Sequence, residues 1–301
     1  MTCAQHSTKL VGALFVLVGL LPACGSVTTN KDGGDSGSDA VGGPDAANAD
    51  SGAMATLDAP RGDVAGADTL GVDATKLDAT SPDLPGADAT ASNCRQTPVV
   101  LGAAAAFAVL AGPTVTNTGL TTIAGDLGVS PGTAITGFPP GSVVGLQHAG
   151  DPTAAGAQAD LKKAYDDAAA RTLCPTPLPG NLGGMTLRPG LYTSTSSMEI
   201  SAGDLTLDAA GDPDAVFVFQ MTTTLITTTA RRVILSGSAK ATNVFWQVGS
   251  SATLGSSSLF EGTIMAAQSI TLDMGATLEG RALARIAAIT LDSNSITKPA
   301  P

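Results

Sequence analysis

The stretch SATLGSSSLFEGTIMAAQSITLDMGATLEGRALARIAAITLD, residues 251–292, carries one pattern three times. The dipeptide Thr253-Leu254 returns as Thr271-Leu272 and again as Thr290-Leu291, and Glu261-Gly262 returns at the same interval as Glu279-Gly280. Small polar and aliphatic residues alternate within each copy. In Ser269-Ile270-Thr271-Leu272, Ile270 and Leu272 share one side of a strand while Ser269 and Thr271 share the other. A near-constant period of this kind in strand-like sequence predicts a β-solenoid, with each repeat forming one coil stacked on the next.

The same dipeptide continues upstream as Thr224-Leu225, Thr206-Leu207 and Thr186-Leu187. The gap from Thr224 to Thr253 is much longer than the others, which predicts a coil with an insertion or an extra strand within 226–252. Alternation turns Leu205, Leu207, Ala252, Leu254, Ile289 and Leu291 inward. It turns Thr206, Ser251, Thr253, Ser269, Thr271 and Thr290 outward, with Thr222 and Thr224 outward beside Leu225. Stacking then predicts a column of Thr206, Thr224, Thr253, Thr271 and Thr290, flanked by Thr222, Ser251 and Ser269. Coils about 4.8 Å apart and alternate residues roughly 6.6–7 Å apart would make a flat grid of hydroxyl and methyl groups.

One segment departs from the strand pattern. Ala157, Leu161, Ala164, Tyr165 and Ala168 follow helical spacing, Asp151 suits an N-cap and Pro152 the first turn, and Cys174-Pro175 stops the run. These signals predict one helix at about 152–173, laid against a flat apolar surface.

Composition agrees with a small-residue solenoid. Of 301 residues 43% are hydrophobic, but only 3% are aromatic and 14% charged. The core must be built of Ala, Val, Ile and Leu, and the surface of Ser, Thr and Gly. The net charge of −11 supplies no basic footprint for nucleic acid. Four Cys and two His all but exclude a multi-ligand zinc site. After residue 24 no apolar run reaches membrane-spanning length.

The chain divides into three parts. Residues 1–24 hold Lys9, an apolar run from Leu10 to Leu20, and then Leu21-Pro22-Ala23-Cys24, which fits an export signal resembling a bacterial lipobox. Lipidation of Cys24 would anchor an outer-membrane or cell-surface lipoprotein, the alternative being plain secretion. Residues 25–93 carry 12 Asp against three Lys or Arg, with Asp at every fifth position from Asp58 to Asp88. So little apolar surface cannot offset the entropy of ordering, which predicts a disordered acidic linker. Residues 94–301 form the predicted folded domain. Its only thiols, Cys94 and Cys174, read as a disulfide in an exported protein.

Several separate motifs resemble the microbial β-solenoid ice-binding proteins. They are Phe107-Ala108-Val109-Leu110-Ala111-Gly112 running on to Thr114-Val115-Thr116-Asn117-Thr118-Gly119, then Gly125-Asp126-Leu127-Gly128-Val129-Ser130-Pro131-Gly132, Leu187-Arg188-Pro189-Gly190-Leu191-Tyr192, Asn243-Val244-Phe245-Trp246-Gln247-Val248 and Gly280-Arg281-Ala282-Leu283-Ala284. The resemblance covers about 99–298. It implies a fold that is all-β with one helix: a discontinuous right-handed three-sided β-solenoid (β-helix) with a single long α-helix packed along one side. It also implies that 99–140 supply end coils, and that the partner is ice or ordered water, met by a flat face of a monomer that needs no cofactor.

The other chemistries fare worse. Asp273, Asp292, Glu261 and Glu279 stand singly among Gly, Ser and Thr, so no carboxylate cluster of an enzymatic solenoid forms. His148, beside the helix start, fits a loop or capping role, and Arg281 and Arg285 a solvated face. Either Phe245 or Trp246 should enter the core. The rival function is a cell-surface structural or adhesive module for polysaccharide or neighbouring cells. That module would need a groove with aromatics and acids.

Overall fold

The computed structural model describes residues 94–300. The signal segment with Cys24 and the linker of 25–93 lie outside the described residues. All strand pairings are parallel, and they form a 12-stranded, a seven-stranded and a three-stranded sheet. The chain visits three faces in turn. Strand Phe217–Met221 lies on the first face, Leu225–Thr227 on the second and Val233–Ser236 on the third. The next coil begins at Val244–Val248, which pairs back on Phe217–Met221. The result is a three-sided β-solenoid.

The stack is discontinuous in sequence. Strand Phe107–Ala111 pairs with the second half of Thr277–Ala284, and Thr114–Thr118 with Ile289–Asp292. The amino-terminal coils therefore continue the stack where the carboxy-terminal coils stop, closing one end with Ala134–Thr136, Ser142–Val143 and Gln147–Ala149. The strand Pro175–Pro177 lies at the other end.

The repeated Glu-Gly pair marks a corner. Strands Leu259–Ala266 and Thr277–Ala284 run through it from the third face to the first. Gly262 has φ +104°, and a Cβ on Gly280 would come within 1.8 Å of the Gly262 carbonyl oxygen, so side chains are barred there. Inside, aliphatic residues stack along the axis: Ala252, Ile270 and Ile289 in one file, Leu254, Leu272 and Leu291 in the next.

Coil width varies. The chain takes half as long again to pass from Ile226 to its neighbour Thr253 as from Thr253 to Thr271. The predicted insertion is the strand Val233–Ser236 and the turn after it, which carries the short helix Ala241–Asn243. The wide coils are filled by rings. Tyr192, Phe219 and Trp246 occupy one register file, and the Phe219 and Trp246 rings stack at 3.9 Å between centroids and 9° between planes. Phe245 also is buried, but on the opposite side of its strand beneath the helix.

The helix spans Pro152–Ala170. An Asp151 carboxylate oxygen accepts from the Ala154 N–H at 2.8 Å, and the other lies 2.7 Å from His148 Nδ1, so His148 steadies the cap. Ala157, Leu161, Ala164 and Ala168 pack on Leu110, Val218 and Phe245 of the first face. The helix stops short of the predicted 173. Its terminal carbonyls are taken up by the Gln220 side-chain amide, which donates to Ala168 O at 2.6 Å and Arg171 O at 2.9 Å.

The helix and the short helix Gly102–Ala106 cover much of the first face, and outward residues directly beneath them are withdrawn from solvent. Arg281, expected on a solvated face, is buried and donates from Nε to Ala105 O at 3.2 Å. Arg285 lies 4.5 Å from the centre of the Tyr165 ring.

Cys94 and Cys174 form a disulfide, which ties the first described residue to the chain just after the helix. Gln96 Nε2 reinforces the junction by donating to Leu173 O at 3.0 Å, and Arg95 pairs with Asp212 at 3.0 Å. The chain-entropy model assigns about 4 kcal/mol to a loop of 80 residues. The double variant Cys94→Ser/Cys174→Ser should therefore lose about 2–4 kcal/mol in chemical denaturation.

Candidate functional site

The seven-stranded sheet is the second face, and the helix does not cover it. Its strands in stacking order are Met198–Ile200, Leu225–Thr227, Ala252–Leu254, Ile270–Leu272, Ile289–Asp292, Thr114–Thr118 and Ala134–Thr136. The inward aliphatic residues belong to the main core, and Thr227 and Asn117 are the buried polar exceptions. Register sets the outward residues in one central ladder: Glu199, Ile226, Thr253, Thr271, Thr290, Thr116 and Thr136. Five consecutive rungs are threonine, a length of about 19 Å at the usual strand spacing.

A second rank flanks this ladder, two residues earlier on each strand. It contains Thr224, Ser251, Ser269, Ala288 and Thr114. Ser269 Oγ donates to Ser251 Oγ at 2.9 Å, which holds that part of the rank as a hydroxyl chain. The five threonine rungs and this rank carry no charge. Asp273 and Asp292 mark the opposite margin of the face.

Three of the five threonines predicted to share a column do so: Thr253, Thr271 and Thr290. Thr206 belongs to the three-stranded sheet on the third face, between Thr186 and Ile234. The dipeptides Thr186-Leu187 and Thr206-Leu207 thus repeat with each other on a different side. Thr224 lies two positions out of register, because Leu225 pairs with Ala252 and Ile226 with Thr253. It joins the flanking rank. Thr222 sits at the corner before the sheet, with its Oγ1 donating to Ser194 O at 3.2 Å. The cause is coil length. In the wide coils the step from Thr206 to Thr224, which would complete a turn elsewhere, only crosses from one face to another.

Sequence spacing missed Thr116 and Thr136, since the chain reaches their rungs only by returning to the amino-terminal coils. The alternation in Thr114-Val115-Thr116-Asn117-Thr118 was the available signal.

The third face differs. It carries the pairs Arg188–Asp208 at 3.3 Å and Arg231–Asp204 at 3.7 Å, with Glu261 stacked in register on Glu279. Half-burial, with the like charge of Glu279 adding to it, pushes the Glu261 carboxyl up to about 7. Between its ordinary value of 4.5 and 7 the folded chain keeps a proton that the unfolded chain releases. Stability therefore falls as pH rises through that window and stays lowered above it. Glu261→Gln should flatten the slope and stabilise the domain at pH 8 by about 1 kcal/mol, allowing for solvent screening. Thermal melts from pH 4 to 8 test this.

Among the described residues, every aromatic ring except Phe138 is buried, and no group of three or more His, Cys, Asp or Glu converges as a metal site. A family model described as Ice-binding-like matches residues 109–297. An ice-binding protein of Nostoc sp. (strain HG1) is 48% identical over 201 residues, which cover 66% of this chain and 73% of the relative. One from Flavobacterium frigoris (strain PS1) is 37% identical over 222 residues, 67% of this chain and 76% of the relative. The crystal structure of an ice binding protein from an Antarctic biological consortium superposes with a TM-score of 0.68 at 55% identity, covering 68% of this chain and 93% of that one. That of the Antarctic ascomycete Antarctomyces psychrotrophicus gives 0.65 at 44% identity, covering 68% and 100%. With this model spanning most of the solenoid and relatives matched over about three quarters of their length, the chain belongs to the Ice-binding-like family.

Proposed function

We propose that this protein adsorbs to ice through the open seven-stranded sheet, by surface recognition and not by catalysis. The observation that carries the reading is the uncharged five-rung threonine ladder, set in register over a stack of buried aliphatic side chains. Threonine suits the task. Its β-branch leaves few χ1 rotamers, so the array is ordered before water arrives. Its methyl presents a surface to which water cannot bond, and its hydroxyl both donates and accepts. Water over such a face is held in a lattice by regularly spaced pins, where a carboxylate would orient it around its own charge. Family membership supports ice as the solid recognised.

The residues on this face also weigh against the adhesive reading. A glycan platform uses exposed rings for stacking, and here the Trp and both Tyr are buried. The cell-surface placement rests on the sequence alone: a lipidated Cys24 and an acidic tether would hold the domain away from the membrane, letting an anchored cell attach to ice. Ice-affinity partitioning of residues 94–301 is the test. Recovery in the ice fraction is expected, and a domain left wholly in the liquid refutes the reading. Metabolic labelling of the full chain with a fatty acid, lost in Cys24→Ala, tests the anchor.

A further inference from the structure

The central ladder changes chemistry partway along the stack. From Thr136 through Thr116, Thr290 and Thr271 to Thr253 each outward rung is threonine. The next two rungs, in the two wide coils, are Ile226 and Glu199. Neither can repeat the pattern. Ile226 offers methyls and no hydroxyl. Glu199 brings a carboxylate onto the face, where it accepts from Ser201 Oγ at 2.9 Å and takes part in none of the ion pairs found among the described residues.

The backbone continues where the chemistry stops. Met198–Ile200 pairs with Leu225–Thr227 residue for residue, and the outer edge of Glu199 is held as well. The Glu199 N–H donates to Gly180 O, and the Leu182 N–H donates to Glu199 O, both at 2.7 Å. The sheet is therefore built and supported under seven rungs, with a water-ordering side chain on five. A carboxylate keeps its own hydration shell, and stripping or re-forming that shell is unfavourable. Ice growing along the ladder from Thr136 would lose its template after Thr253 and meet a competing shell at Glu199.

Taking the ice-adsorbing face as proposed above, we infer that Ile226 and Glu199 set the limit of the adsorption footprint, confining it to the five threonine coils. They determine how strongly the domain acts, because two further coils of supported sheet are left unused. The restored ladder would run continuously from Thr136 to the coil beside the Pro175–Pro177 end.

The test is Ile226→Thr/Glu199→Thr in the 94–301 domain, measured by thermal hysteresis at matched concentration, with circular dichroism and melting to verify the fold. Both side chains point outward, so the fold should be kept. Hysteresis should rise about twofold or more, since binding reflects the surplus over a fixed cost and grows faster than the contact area. Unchanged or lower hysteresis in a folded double variant overturns the inference while leaving the ice reading standing, because wild type in the same assay reports on that reading separately. A wild type without hysteresis or ice partitioning overturns both. Should the double variant fail to fold, Ile226→Thr alone, which adds the rung next to Thr253, decides. A smaller rise supports the limit and no change refutes it.

Discussion

Thr271→Tyr is expected to remove the domain from the ice fraction while leaving its melting temperature nearly unchanged. Thr271 is the second of the five threonine rungs, flanked along the ladder by Thr253 and Thr290 and across the strand by Ser269. A tyrosine there stands a full ring above its neighbours, so ice touching the ring cannot also touch the adjoining rungs. Because the contacts act together, one protrusion should cost affinity about tenfold or more, equivalent to about 1.4 kcal/mol or more. The fold should not register it. The side chain points away from the core, and exposed substitutions typically stay within about 0.5 kcal/mol. Thr206→Tyr is the control. It adds the same ring to the third face, between Thr186 and Ile234, and should partition like wild type. Equal losses in the two variants would mean that the open sheet is not the contact surface.

That contrast shows where the sequence was sufficient. Strand alternation assigned inside and outside correctly around Ile270, Leu272, Ala252 and Ile289, because a strand has a strict period of two and one side must be dry. The short coils also returned Thr253, Thr271 and Thr290 to their own face. The reading lost the face where coil length changed. Thr206 and Thr224 are separated by the same interval as the true neighbours Thr253 and Thr271, yet the coil there is half as long again and the two lie on different sheets. The long gap from Thr224 to Thr253 signals one wide coil, but nothing in the spacing marks the coil before it as equally wide. The discontinuity hid Thr116 and Thr136 for a related reason: they neighbour Thr290 through a contact between distant parts of the chain, and no local pattern encodes it. Arg281 failed differently. An outward position looked solvated until the short helix was laid over it, and burial of a face by a distant segment is a tertiary fact.

The wide coils raise the question of what fills them, and the answer carries the larger stability effect. A longer coil encloses more volume than a short one, and a chain with 3% aromatics places its largest rings there. Tyr192, Phe219 and Trp246 follow one another in register and give way to Ile264 once the coils narrow. Trp246 is the centre of the group. It is fully buried, stacks on Phe219 at 3.9 Å, and tilts against Phe260 at 5.0 Å. Its indole N–H donates to the Glu261 carbonyl at 3.0 Å, joining the first face to the corner with the third. Trp246→Ala would remove the hydrophobic transfer, leave a cavity that the hydrogen-bonded coils cannot close, and break two aromatic contacts. The expected loss is about 4 kcal/mol, read from urea denaturation followed by circular dichroism, since the only tryptophan is gone. For a domain of this size that is a melting shift of roughly 10 °C. Trp246→Phe keeps a ring on Phe219 and should recover about half of the loss. If the alanine variant unfolded with the midpoint of wild type, the rings would be passengers in a coil held open by its backbone ladders alone. Adsorption measured well below the melting point should survive in both variants, because Thr253, Thr271 and Thr290 rest on the aliphatic files of Ala252, Leu254 and their neighbours and not on the aromatic stack.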